Sequence, residues 1–391
     1  MLNKPEPDIK NIYLIVDNLR IGGIQRLLLD EYYQFCEWGF LPKIICLSLP
    51  VNEDHILNID DGFTLLENIK IEFLPPNKVY QIRYFTKNIM RNRNPGVFIS
   101  HSTSGAFVVK VSSIITLKKI TLLLFIHQLL SLSSKSQAIK RVIYSLFATK
   151  ILFSSKQFLL DWNKVIRNSN ILRLLPIKPQ EFVRMGVYLP RLCWHGWTKK
   201  QVCKENTPNL IFLSRPTRWK GFEKFLQISS SFTSTKICML IFKPSLNNVN
   251  ESNKFFDRKE HCHTLLDSGV TSVAINAKSV HIYPTDYGPK VQFPQSIGMN
   301  VLEMITQCIP SVISLENFES WPEFKNSVLV RPVDWDNPNS VLNEILTSIE
   351  LSESVKQLEF ERLSSVISIS NHCSIIIQNS GLVTGENKND F

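Results

Sequence analysis

No stretch of the sequence reaches the roughly 18 to 20 consecutive apolar residues that cross a bilayer. The longest uncharged stretches, such as Thr121–Ser134, fall short, so a membrane-spanning helix is not expected. No stretch reads as a secretory leader, since Met1–Lys10 is polar and carries Pro5 and Pro7 before the first apolar run, so export is not expected. The expected location is cytoplasmic. Cysteine is sparse and unpatterned, at positions 36, 46, 193, 203, 238, 262, 308 and 373 with no Cys-x-x-Cys pair. That excludes a disulfide scaffold and suggests reduced, mostly buried thiols. His261-Cys262-His263 has ligand-type residues, but adjacent side chains point in different directions and no second cluster completes a tetrahedral set, so no metal is expected.

Acidic residues are absent between Glu72 and Asp161, a stretch that holds thirteen lysines and arginines. The formal charge of +10 is therefore uneven: residues 1–200 carry +13 and the remainder −3. Such a bias implies an anionic partner: a membrane surface, a phosphate-bearing acceptor or nucleic acid. The basic residues interleave with apolar runs such as Phe107-Val108-Val109 and Leu122–Ile126, which favours a membrane; no nucleic-acid-binding signature accompanies the charge, and nucleic acid is not the expected partner. Peripheral attachment to the inner face of the membrane follows as an expectation.

A chain of 391 residues exceeds what one core usually serves, so two domains are expected. Asn11–Val16 is a continuous apolar run that suits a buried parallel strand, and Ile21-Gly22-Gly23 follows it. Leu28, Tyr32, Phe35 and Gly39 then recur at helical spacing, with Gly39 placed to cap the helix. Further strands are predicted at Lys43–Leu49, Ile69–Leu74, Val97–Ser100, Thr121–Ile126 and Ile151–Ser154, with Arg184–Val187 closing the first lobe. The second lobe restarts at Leu210–Ser214, with a helix from Gly221 and strands at Lys236–Phe242, Val280–Tyr283, Ser311–Ser314 and Val328–Val330. The expected domains are 1–199, which is basic; 200–368; and 369–391, a helix end with a frayed tail.

Three stretches carry residues suited to a diphosphate, which needs unhindered backbone amides and one or two cations. Gly22-Gly23 lets backbone approach a phosphate at a strand-to-helix turn, although paired glycines also simply make tight turns. In Ser214-Arg215-Pro216-Thr217-Arg218-Trp219-Lys220-Gly221, Arg215 ends a strand and Lys220 precedes a helix, so both can reach the strands' C-terminal edge, or else are solvated charges. Gln295-Ser296-Ile297-Gly298-Met299-Asn300-Val301 leads into a helix bearing Glu303; the bland reading is an amphipathic helix with an exposed glutamate. His127, after an apolar strand, reads on its own as a satisfied core or edge residue; only a resemblance to a known family makes it a candidate, with His101 a secondary one.

Together these stretches resemble the retaining GT-B glycosyltransferases of the family 4 type. Arg215 and Lys220 match that family's diphosphate-binding pair, Gln295 and Glu303 its glutamate pair, and Phe125-Ile126-His127 its strand ending in the active-site histidine. Pro95–His101, Met185-Gly186-Val187, Trp321-Pro322-Glu323 and Val328–Asp334 extend the likeness over most of Ile12–Leu346. The resemblance implies an α/β fold of the GT-B class, two Rossmann-like parallel-sheet domains facing a central cleft. It implies a retaining hexosyltransferase moving a sugar from a nucleotide-diphosphate sugar to a glycan or lipid-linked acceptor, in surface polysaccharide or glycolipid synthesis. His127, Arg215, Lys220 and Glu303 would be catalytic; Gly22, Gly23, Gln295, Ser296, Gly298, Met299, Asn300 and Val301 would bind the donor. The nucleotide sugar is a substrate, so no cofactor and no required metal is expected; Asp334-Trp335-Asp336 imitates a metal-binding Asp-x-Asp but precedes the turn signal Asn337-Pro338.

The sequence departs from the family pattern at four points. Gln295 replaces a glutamate, Ser214 and Cys308 replace glycines, and Met185 replaces an asparagine. Gln295 still hydrogen-bonds a hydroxyl but lacks the carboxylate's charge. A GT-B-like protein without transferase activity, acting as a partner subunit or sugar-nucleotide-binding module, is the alternative these departures leave open.

Overall fold

Continuous apolar runs become parallel strands because a sheet covered by helices on both faces leaves no solvent side for polar residues. A computed structural model describes residues 11–19, 23–49, 69–92, 95–131, 133–189, 208–212, 220–232, 238–242, 263–266, 278–285, 297–319 and 321–381. They fall into two units, residues up to 188 together with 369 onward in the first and 189–368 in the second.

The first unit holds β1 (Asn11–Val16), β2 (Leu41–Cys46), β3 (Ile71–Phe73), β4 (Val97–Ser100), β5 (Thr121–Ile126), β6 (Lys150–Phe153) and β7 (Gln180–Phe182). They form one parallel sheet in the order β3-β2-β1-β4-β5-β6-β7. This is the doubly wound arrangement, whose order reverses between β1 and β4, the place where such sheets bind ligands. Its helices are α1 (Gly23–Glu37), α2 (Lys78–Tyr84), α3 (Thr103–Ile115), α4 (Lys135–Ser145) and α5 (Lys156–Arg167). Serines start three of them: Ser102, Ser134 and Ser155 each accept a backbone amide of the first turn, satisfying a donor the helix cannot. Gly39 adopts φ +79° just beyond α1, as the cap expected there requires.

The second unit repeats the scheme with β8 (Asn209–Phe212), β9 (Cys238–Phe242), β10 (His263–Leu266), β11 (Ser279–Tyr283), β12 (Ser311–Ser314) and β13 (Val330–Val333), in the parallel order β10-β9-β8-β11-β12-β13. Its helices are α6 (Phe222–Ser230), α7 (Met299–Thr306), α8 (Leu315–Glu319), α9 (Pro338–Ile349) and α10 (Glu353–Ile367). A core of Leu210, Phe212, Phe222, Phe225, Val280 and Ile282 joins its sheet to α6.

Several strand bounds shift. The strand predicted at Val328–Val330 runs Val330–Val333, and the one at Lys43–Leu49 runs Leu41–Cys46, because Pro332 and Pro42 sit in strands despite lacking a ladder donor. The last strand of the first sheet is β7, and Arg184–Val187 follows it at the close of the first unit, where the Val187 carbonyl accepts the Ile369 amide at 2.9 Å. The last helix, α11 (Ile369–Ser380), is not a loose end: it packs on α1 and β5 and buries Ile369, His372, Cys373 and Ile376. It belongs with the first unit, so that unit is built from both ends of the described chain. The remainder of the tail lies outside the described residues.

Candidate functional site

At the C-terminal edge of the first sheet, β1 delivers Asp17, β4 delivers His101 and β5 delivers His127. The His101 amide continues the ladder by donating to the Ile15 carbonyl at 2.8 Å, which fixes where its ring stands. The ring lies parallel to that of Phe125 at 5.3 Å between centroids and edge to edge with that of His127 at 5.1 Å. His101 Nδ1 lies 2.9 Å from His127 Nε2, and His101 Nε2 lies 2.9 Å from Glu31 Oε2 on α1. Glu31 Oε1 takes the other side, 2.7 Å from Nε2 of His372 on α11. Four residues from four elements thus form one chain, Glu31 and the His101 and His372 side chains being fully enclosed.

Burial alone would raise the Glu31 carboxyl, but the two imidazoles on its oxygens override that and hold it at about 2. Burial pushes the His127 imidazole well below its ordinary range, His101 and His372 push the same way, and Glu31 opposes. His127 is therefore a neutral ring at neutral pH, with a partly exposed side chain.

Beside this chain, Ser102 Oγ donates to Asp17 Oδ1 at 2.5 Å, and Lys78 at the start of α2 bonds Ser104 in the first turn of α3. Burial lowers Lys78, Asp17 opposes that and Lys140 adds to it; burial likewise lowers Arg141, again against Asp17. Lys78 and Arg141 thus both face the Asp17 carboxylate, Lys140 repels Lys78, and Arg141 is steadied by Ser133 Oγ at 2.6 Å. At the β1–α1 turn, Gln25 Nε2 donates to the Asn18 carbonyl at 3.1 Å, just after Gly23, which is exposed; Gly22 lies outside the described residues.

In the second unit, Lys220 and Gly221 form the turn that opens α6. Gly221 has φ +74°, and a Cβ there would meet the Pro284 carbonyl oxygen at 1.8 Å, so only glycine fits. This close approach sets Lys220 Nζ 5.8 Å from the centre of the Tyr283 ring, a cation over an aromatic face. Tyr283 reaches the other way as well: a Cβ on Gly298 would stand 2.8 Å from its hydroxyl. Gly298 is the residue before α7, so Tyr283, at the end of β11, brings together the lysine turn and the start of that helix. Of the first-turn amides of α7, that of Val301 is already engaged by the Gly298 carbonyl at 3.0 Å and by Asn300 Oδ1 at 3.1 Å. Met299 and Val301 bury their side chains, leaving only backbone for a ligand. Glu303, expected on the bland reading to be exposed, is 3 % exposed.

Arg215, Gln295 and Ser296 lie outside the described residues. Within each unit the structure brings predicted residues together: His127 with His101, and Lys220 with Gly298. Sequence reasoning missed Glu31, His372, Tyr283 and the Asp17–Lys78–Arg141 cluster. Tyr283 closes a predicted strand and was findable as such; Glu31 sits on the apolar face of α1, where a charge already signals a partner. Asp334 Oδ1 accepts the Asp336 amide at 2.9 Å, so that acidic pair forms a turn ahead of α9. Among the described residues no group of three His, Cys, Asp or Glu is arranged to hold a metal.

No protein-family model and no curated protein matches the sequence. The structure resembles solved ones. A glycosyltransferase from Rickettsia africae ESF-5 matches with a TM-score of 0.69 at 12% identity, over 97% of this chain and 100% of that one. Anabaena Alr3699/HepE, solved with UDP and glucose, matches with 0.67 at 12%, over 96% and 100%. An alpha-glucosyltransferase solved with UDP-glucose and DNA containing an abasic site matches with 0.64 at 12%, over 94% and 98%. The fold is GT-B.

Proposed function

We propose that a chain with this GT-B fold transfers a sugar from a nucleotide-diphosphate sugar to an acceptor, with retention of anomeric configuration. The observation that carries this reading is the meeting of Lys220, Tyr283 and the start of α7 at the C-terminal edge of the second sheet. A cation and helix amides at a strand edge are what a departing diphosphate requires. Lys220, Arg215 and the α7 amides take up the charge of the leaving group, Glu303 binds the ribose, and Gln295 and His127 contact the sugar. No protein nucleophile and no metal takes part. The solved neighbours that hold UDP, or UDP with glucose, support a uridine diphosphate donor.

The acceptor belongs to the basic first unit, and a lipid-linked glycan in surface polysaccharide or glycolipid synthesis fits it best. Exposed Val79, Tyr80, Ile114, Ile115, Leu117 and Ile143 lie on α2, α3, α4 and the turn after α3, interspersed with Lys78, Lys87, Lys118, Lys119 and Lys140. Apolar side chains among lysines on packed neighbouring helices suit an anionic bilayer surface. Among the described residues no helix is long and apolar enough to cross one. The Lys78–Lys140–Arg141 cluster suits a phosphate on the acceptor.

The test incubates purified protein with a panel of nucleotide sugars and scores free nucleotide, with Lys220→Ala and Glu303→Ala beside the native chain. Release that needs both residues supports the reading; turnover that survives both substitutions sinks it. Because Gln295 replaces a glutamate, a second reading is a sugar-nucleotide-binding subunit without activity. Calorimetric donor binding with no consumption would select it.

A further inference from the structure

Both ring nitrogens of His372 face acceptors: Glu31 Oε1 at 2.7 Å and the Arg184 carbonyl oxygen at 2.6 Å. A carbonyl only accepts, so Nδ1 donates to it, and Nε2 donates to the ionised carboxylate. His372 therefore carries both protons. One carboxylate balances one imidazolium, and a second cation enclosed on the same carboxylate would lack a counter-charge. His101 then holds a single proton on Nε2, which Glu31 Oε2 accepts at 2.9 Å. Its Nδ1 is left as a lone pair and can only accept, so the 2.9 Å contact with His127 is a bond that His127 Nε2–H donates.

We infer that Glu31 and His101 fix His127 in the Nε2–H tautomer, so that its Nδ1 offers a lone pair to a substrate hydroxyl, with His372 supplying the charge that locks the chain. His101 is thus a positioning residue acting through His127, and α11 is part of the site. The low proton affinity of the His127 ring agrees, since a neutral ring has one proton to place. The other titratable neighbours do not disturb the balance. Cys373 on α11 is pushed well up by burial, Glu31 and Asp30, so its thiol stays neutral, while Glu31, His101 and His372 are the charged or titratable groups that act on His127.

The role toward a hydroxyl rests on the transferase reading above; the tautomer does not. The test is long-range 1H–15N correlation NMR on the full chain labelled with 15N-histidine, with His127→Gln assigning the resonances. At neutral pH the expected pattern is a protonated Nε2 and bare Nδ1 on His127, and two protonated nitrogens on His372. A protonated Nδ1 on His127, or a singly protonated His372, overturns the inference whether or not the protein transfers sugar. His101→Phe keeps a ring between Phe125 and His127 but removes the acceptor. It should convert the His127 signals to a mixture of tautomers and lower kcat about tenfold, the loss of roughly one hydrogen bond, with KM for the nucleotide sugar unchanged. His101→Asn, which restores an acceptor, should recover part of that loss. A His101→Phe chain that folds with the His127 tautomer unmoved also overturns the inference. With the tautomer confirmed but no nucleotide sugar consumed, the transferase reading alone fails.

Discussion

At the residue scale, backbone angles separate what sequence comparison blurs. Cys308 follows α7 at φ +56°, a left-handed conformation that costs a side-chain-bearing residue about 1 to 2 kcal/mol. It is also the position where the resembled family carries glycine. Cys308→Gly should relieve that strain while giving back part of it as chain entropy, for a net gain of about 0.5 to 1 kcal/mol. Urea denaturation checks it, and a lowered midpoint would contradict the strain. Gly221 is the converse. Alanine there drives a methyl into the Pro284 carbonyl, so Gly221→Ala should cost about 2 kcal/mol or more and reduce donor binding by shifting Lys220. A variant with native melting temperature and native donor affinity would show that the turn tolerates a side chain.

At the element scale, the strands were the legible part. Val97–Ser100, Thr121–Ile126 and Ser311–Ser314 fall where apolar runs placed them, because a fully covered parallel strand writes itself as uninterrupted hydrophobic residues. His127 and Lys220 were legible as candidates because each follows such a strand or precedes such a helix. The Glu31–His101–His127–His372 chain was not, since it spans residues from α1 to α11 and no local pattern joins partners that far apart. The helices α2, α3 and α4 support a further prediction. Replacing Ile115 and Leu117, both exposed, by aspartate should abolish co-sedimentation with anionic vesicles and leave the melting temperature within a degree or two. Retained vesicle binding would move the membrane contact elsewhere, and binding to DNA in place of vesicles would reassign the basic surface.

At the scale of the whole molecule, desolvated titratable groups in both units set one response to acid. His127 in the first unit binds its proton well below the usual histidine range, and His281 in the second is held down to about 3 by burial. Below pH 6.5 the unfolded chain protonates these rings and the folded chain does not, so stability falls as pH drops. Glu31 adds to this from about pH 4.5 downward, as its folded value of about 2 keeps it ionised while the unfolded chain takes up a proton. The denaturant midpoint should therefore decline from pH 7 to 4, and His281→Asn should flatten the slope. A midpoint that stays level or rises over that interval would contradict the burial of these rings.

The placement of α11 bears on how the chain acquires its form during synthesis. A ribosome releases the seven strands of the first sheet long before it releases the helix that closes them, with residues 189–368 made in between. Until then Glu31 lacks its ion partner and Phe125 one of its stacking neighbours, so the earlier-made half waits unfinished while the later-made half can mature ahead of it.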